Sequence, residues 1–123
     1  MALVPCEKEQ GVEDVKSDFT FLLEDFYNRA TCKKYGKIVI VTFQLKGNLT
    51  QNTPINIFTI ANNSKAIPVN LPFLSTVAIT NPSTGAYLGS SQVFSSNGQT
   101  FQMNPSVTAS GAAVVGQMVW NVA

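Results

Sequence analysis

Histidine is absent from this chain, and no Asp or Glu follows Asp25. The seven acids are Glu7, Glu9, Glu13, Asp14, Asp18, Glu24 and Asp25. Acid–base, nucleophilic and metal-assisted catalysis draw mainly on imidazoles and carboxylates. A body over residues 26–123 without either is poorly equipped for such chemistry, though it can still bind, pack and assemble. The composition therefore argues for a structural or recognition module and against an enzyme.

Other absences narrow the reading. No apolar run approaches the roughly 18 residues of a membrane-spanning helix, so no membrane span is expected. Met1 to Glu7 offers neither a basic n-region nor an apolar h-region, so no signal peptide is expected. Cysteine is scarce: Cys6 and Cys32 permit one disulfide but build no framework. Without a secretion signal, two unlinked thiols are expected. Neither has a partner at zinc-site spacing, so no metal site is expected. No G-x-x-x-x-G-K-[ST] loop and no S-x-x-K pattern occurs, so no catalytic residue and no cofactor is assigned.

Charge is present but unevenly placed. Residues 1–25 set seven acids against Lys8 and Lys16, a net −5, while Arg29, Lys33, Lys34, Lys37, Lys46 and Lys65 stand unopposed in residues 26–123, within a total of +1. The two parts are expected to attract each other, within one chain or between copies. Lys33, Lys34 and Lys37 surround Tyr35, with Arg29 nearby, a grouping that could meet phosphate. A chain this near neutrality makes a solvated hairpin tip the better reading, with lysines deterring strand-edge pairing. No nucleic-acid partner is expected.

Along the chain, residues 1–11 read as a mobile lead-in and residues 12–123 as a single domain. Val12, Val15, Phe19, Leu22 and Phe26 step by three and four residues, and Leu23 widens the stripe. The spacing predicts a helix over about 12–28 that docks by this face, with Glu13 and Asp14 in its first turn. Phe21 dissents, because a helix points it away from the stripe. A strand through Phe19, Phe21 and Leu23 would place it better but would turn Leu22 to the wrong side.

After Arg29, turn residues punctuate short runs of Ile, Val, Phe and Thr. Ile38 to Leu45 predicts a central strand, entered through a Tyr35-Gly36 hairpin. Ile55 to Ile60, Phe73 to Thr80 and Val114 to Val122 predict three more strands. Val93 to Asn104 predicts a hairpin around Asn97-Gly98, residues that tolerate the positive φ of a type I′ turn. The fold class is thus mainly β, an antiparallel β-sandwich over about 29–123 preceded by one N-terminal α-helix. Tyr35, Tyr87 and Trp120 are candidate stacking platforms for a glycan, although rings in such folds more often pack.

One ordered set of residues carries a resemblance. The turn Lys34-Tyr35-Gly36-Lys37 leads into Ile38-Val39-Ile40-Val41. The Ile-rich strand from Ile55 to Ile60 follows, then Ile67-Pro68 and Leu71-Pro72. The Asn97-Gly98 hairpin and Gly116-Gln117-Met118-Val119-Trp120 complete the order. It resembles the small β-domains of bacteriophage tail fibres and receptor-binding proteins, most strongly the tail-tip or baseplate proteins of siphophages of Gram-positive bacteria. A helix before a sandwich is also similar to the shoulder domain of lactococcal phage receptor-binding proteins, which attaches to the baseplate. The resemblance implies a non-enzymatic phage structural or accessory protein. It would be made in the host bacterial cytoplasm and carried in the virion tail. Its implied partners are other tail or baseplate proteins, or further copies of itself. A carbohydrate-binding module for host cell-wall glycans, and a host-directed accessory protein made early in infection, are the alternative functions.

Overall fold

The computed structural model describes residues 11–123; the lead-in expected over 1–11 and the thiol of Cys6 fall outside them, apart from Gly11. The strands are β1 (Val12–Asp14), β2 (Phe19–Phe21), β3 (Glu24–Asp25), β4 (Thr31–Tyr35), β5 (Ile38–Leu49), β6 (Ile55–Ile60), β7 (Phe73–Thr80), β8 (Tyr87–Ser95), β9 (Thr100–Asn104) and β10 (Ala109–Asn121). All pair antiparallel in one curled sheet of order β1-β4-β5-β10-β7-β8-β9-β6-β2, and β3 pairs with β5 beyond the end of β4.

The frame is the β5–β10 pair. Along β5 the side chains of Val39, Val41, Phe43, Leu45 and Leu49 are buried, and Ile38, Ile40, Thr42, Gln44 and Lys46 alternate with them on the other face. This is the period of two that a half-buried strand requires. β10 answers with Val114, Met118 and Trp120 inward. Gly116 lies opposite Phe43 in that register. A Cβ there would sit 2.6 Å from Val77 Cγ1 and 3.1 Å from Phe43 Cζ. The missing side chain is what allows the Phe43 ring to fill the space.

A run of rings occupies the centre. Phe58 stacks on Phe101 at 4.4 Å between centroids, Phe101 on Trp120 at 5.3 Å, and Phe73 meets Trp120 edge-on at 5.2 Å. Phe19 closes against both Phe58 and Trp120. Aromatic pairs at these separations gain roughly 0.5–1.5 kcal/mol beyond the area they bury. The indole Nε1–H of Trp120 donates to the Ala66 carbonyl at 2.7 Å, so the polar handle of the buried ring is satisfied.

No helix forms over residues 12–28. The segment contains β1, a 3-10 turn at Lys16–Asp18, β2, β3 and a second 3-10 turn at Phe26–Asn28. Its chain path explains why. β1 pairs with β4 and β2 with β6, strands near opposite ends of the curl. Backbone bonds reinforce the crossing: the N–H of Val15 donates to Cys32 O, Leu22 N–H to Ile57 O and Ala61 N–H to Asp18 O, each at 2.9 Å. The segment thus bridges the two ends of the sheet. A helix would satisfy its own backbone and leave those strand edges without partners.

The remaining strand expectations hold with shifted bounds. Ile55–Ile60 and Phe73–Thr80 form as expected; β8 begins six residues before Val93, at Tyr87, and β10 five before Val114. The turn between β8 and β9 is not type I′, since only Gly98 takes positive φ, at 75°. Asn97 Oδ1 accepts the N–H groups of Gln99 and Thr100, and Ser95 Oγ accepts that of Gly98. The side chains hold the turn that a mirror-image backbone would otherwise make.

Candidate contact surfaces

Strand register sets part of the charge asymmetry against itself within the molecule. β1 sets Glu13 opposite Lys34 and Asp14 opposite Lys33, and β3 sets Glu24 opposite Lys46. The Lys33 ammonium reaches Asp14 at 3.4 Å, and Lys16 reaches Asp25 at 3.0 Å. The Lys16 backbone N–H, with Lys33, holds the Asp14 carboxyl below its ordinary value. Asp18 is engaged differently: Ser64 Oγ–H donates to it at 2.6 Å while accepting the Ala66 N–H. That bond ties the bridging segment to the loop whose carbonyl holds Trp120, and nothing in the spacing of Asp18 and Ser64 announced it.

The predicted docking face separates into two sets. Val15 and Phe19 are buried, and Leu23 packs on the core; Val12 and Leu22 are exposed, and Phe26 is half-buried. Phe21, which the helical reading turned outward, packs against the core within 5.8 Å of Phe58 and 6.3 Å of Phe19. The strand alternation therefore governs this stretch. The 3-10 turn between Val15 and Phe19 is the reason that both point inward at a helical spacing.

The candidate stacking rings are not brought together. Trp120 is 6 % exposed and belongs to the core. Tyr35 lies opposite Ile38, while Tyr87 aligns through Thr80 and Ala113 with Lys46, eight residues farther along β5. At about 3.3 Å per residue the two tyrosines stand some 26 Å apart along the strand. The cationic grouping also disperses. Lys33 engages Asp14, and the Arg29 guanidinium lies 5.0 Å above the Tyr27 ring.

Two surface features do form. The first is an apolar row across the outer face at one end of the sheet. Val12, Tyr35 and Ile38 are register neighbours on β1, β4 and β5, each more than two-fifths exposed. Asn121 comes next, and its carbonyl accepts the N–H of exposed Val69. Ile40 and Val119, the latter 54 % exposed, pair in the next outward row. Isolated exposed apolar residues are ordinary, whereas adjacent ones on a rigid sheet mark contact surfaces.

The second feature is an open polar cleft of about 330 Å³ at the other end, lined by Lys46, Asn81, Pro82, Ser83, Leu88, Ser110, Gly111 and Ala112. A bulge shapes its wall. Pairing shifts between Ala109 and Ala112, Gly111 takes φ 62°, and Asn48 Oδ1 accepts the Gly111 N–H at 2.8 Å.

Groups with chemical potential lie elsewhere and are occupied. Cys32 is fully buried, and burial pushes its thiol up to about 12. Ser91 and Ser95 are buried, each hydroxyl oxygen accepting a backbone N–H. Among the described residues, no three His, Cys, Asp or Glu side chains group to hold a metal ion, and no helix is long and apolar enough to cross a membrane. No family model, curated protein or solved structure matches the chain.

Proposed function

We propose that this chain is a non-enzymatic structural or accessory component of a bacteriophage tail or baseplate, acting through protein–protein contacts. The observation that carries the contact reading is the outward apolar row of Val12, Tyr35 and Ile38, with exposed Val119 in the next row and exposed Val69 bonded to Asn121 at its end. It is displayed on a sheet whose ends are bridged and in which three acids stand opposite lysines in register. Such a sheet is stiff, and a stiff apolar surface binds without a large ordering cost. The ordered resemblance from Lys34 to Trp120 supplies the phage assignment. On this reading the curled antiparallel sheet folds over as the two layers of the sandwich expected from the strand spacing.

Mass spectrometry of gradient-purified virions, beside the infected-cell lysate and a gene-deletion phage, tests the proposal. Stoichiometric copies in virions, or deletion particles with malformed tail tips, are expected. Abundance in lysate with absence from virions, together with normal deletion tails, would overturn it.

A further inference from the structure

The turn Phe26–Asn28 has a backbone that its residues do not favour. Tyr27 (φ 56°) and Asn28 (φ 53°) are consecutive non-glycine residues in the left-handed region. Asn accepts that conformation readily, but Tyr does not. The strain is not compensated by burial, since Tyr27 is 70 % exposed. Its ring meets two partners, Phe26 at 4.2 Å and the Arg29 guanidinium at 5.0 Å. Phe26 in turn carries the Lys46 ammonium at 5.3 Å, and Lys46 lines the polar cleft.

The local charge is positive by one, with Lys16, Arg29 and Lys46 against Glu24 and Asp25. The two carboxylate oxygens of Asp25 are used by Lys16 Nζ and the Ala30 N–H, both at 3.0 Å. Glu24 faces Lys46 in register, but Lys46 and Arg29 enter no ion pair among the described residues. An exposed Tyr, an Arg stacked on it and a nearby Lys are the side chains that anchor protein interfaces. Strained backbone at such a place is characteristic of binding elements.

We propose that this knuckle and the cleft beside it form a second contact surface, which takes an acidic protein segment. Its carboxylates meet Arg29 and Lys46, and its backbone and an apolar side chain lie on the Tyr27 ring. Asn81, Ser83 and Ser110 are the polar wall of the cleft, and Leu88 is its apolar wall. Charge complementarity selects the occupant, since Arg29 and Lys46 enter no ion pair among the described residues and lie beside an aromatic face. The inference goes beyond the proposed function and does not depend on the phage assignment. Lys46 lies eight residues along β5 from Ile38, about 26 Å at strand rise. The chain would then join two neighbours, one at each end.

The test uses the full chain, labelled with 15N, and three probes: a short peptide alternating Glu and Leu, the same peptide with Gln for Glu, and inorganic phosphate. Saturable shifts at Arg29, Lys46, Ser83 and Ser110 with the acidic peptide alone are expected. Arg29→Gln combined with Lys46→Gln should weaken that binding by about tenfold or more. Tyr27→Gly should relieve the backbone and raise the melting temperature while still weakening the peptide. Any of four results would overturn the proposal. They are equal response to the Gln peptide, no saturation at millimolar peptide, the same shifts with phosphate alone, and a lower melting temperature for Tyr27→Gly. The phosphate result would mark a small-anion site, and the melting result a purely structural tyrosine.

Discussion

The β5–β10 pair and the bridging segment over residues 12–28 belong to one sheet but are held in different ways. β5 and β10 run beside each other from Ile38–Asn121 to Leu49–Ala109, with a single bulge. The bridging segment makes three pairings of two or three residues, each to a different strand. In the long pair, every outward or inward position is fixed by its neighbours across the strand. In the short segment, position depends on which side chains the core accepts, here Val15, Phe19, Phe21 and Leu23. A long ladder tolerates the loss of one contact, whereas a closure made of short pairings depends on a few anchors.

The largest test of that contrast lies at Phe19, 7 % exposed and wedged between Phe58 and Trp120. Phe19→Ala should cost about 3–5 kcal/mol in denaturant unfolding. Phe21→Ala, half-buried on the same cluster, should cost about 1–2 kcal/mol. Leu22→Ala, 49 % exposed, should stay within about 0.5 kcal/mol. A helical stripe demands the reverse order for the last two, so a greater loss at Leu22 than at Phe21 would reinstate the helix.

That reversal also marks where the sequence is legible. The period of two in Ile38 to Leu45 and the turn residues at Tyr35-Gly36 and Asn97-Gly98 locate strands, because pairing and side-chain alternation agree there. In residues 12–28 they conflict. A 3-10 turn of three residues shifts the phase between Val15 and Phe19, so two unrelated inward positions fall at helical spacing. Phe21, packed against the core, is the residue that breaks the helical spacing. The charge asymmetry was legible as attraction, but its residue pairing needed the register. The left-handed Tyr27 had no sequence signal at all, since Tyr is not a residue that favours such turns.

Within the long pair, Gly116 sharpens the comparison. Gly116→Ala brings a Cβ against Val77 and Phe43 and should cost about 1–3 kcal/mol by overpacking. The combination Gly116→Ala with Phe43→Leu should recover part of the loss, because the smaller side chain vacates the contested space. An undiminished loss in the double variant would place the clash at Val77, the nearer contact at 2.6 Å.

Cys32 reports on the junction between the regions, since its carbonyl accepts the Val15 N–H. Its thiol has an ordinary value of 9.0 and is raised to about 12 by burial. The buried form is the neutral one, so its contribution is intact below pH 9 and is lost as pH rises towards 12. Over that window the protein should lose about 1.4 kcal/mol per pH unit more than a Cys32→Ala variant does. Parallel stability profiles for the two proteins above pH 9 would show a thiol accessible to water. An alkylating reagent at neutral pH should accordingly leave Cys32 unmodified until the protein unfolds.

The smallest effect on stability is expected on the outer face, and that smallness makes it informative. Ile38 and Val119 belong to the long pair but point away from the core. Their pairing is fixed by the ladder beneath them, so shortening them removes little that the fold uses. Ile38→Thr and Val119→Thr keep β-branching and strand preference, and each should shift stability by no more than about 0.5 kcal/mol. If the row is a contact surface and the chain is the tail component proposed above, a phage carrying both changes should assemble tails poorly, or incorporate less of this protein, despite a normal melting curve. Wild-type incorporation and normal infectivity would remove the row from the contact surface. A large loss of stability would instead show that the row is covered within the folded chain. The separation between thermal stability and assembly thus distinguishes a face that holds the molecule together from one that joins it to a neighbour.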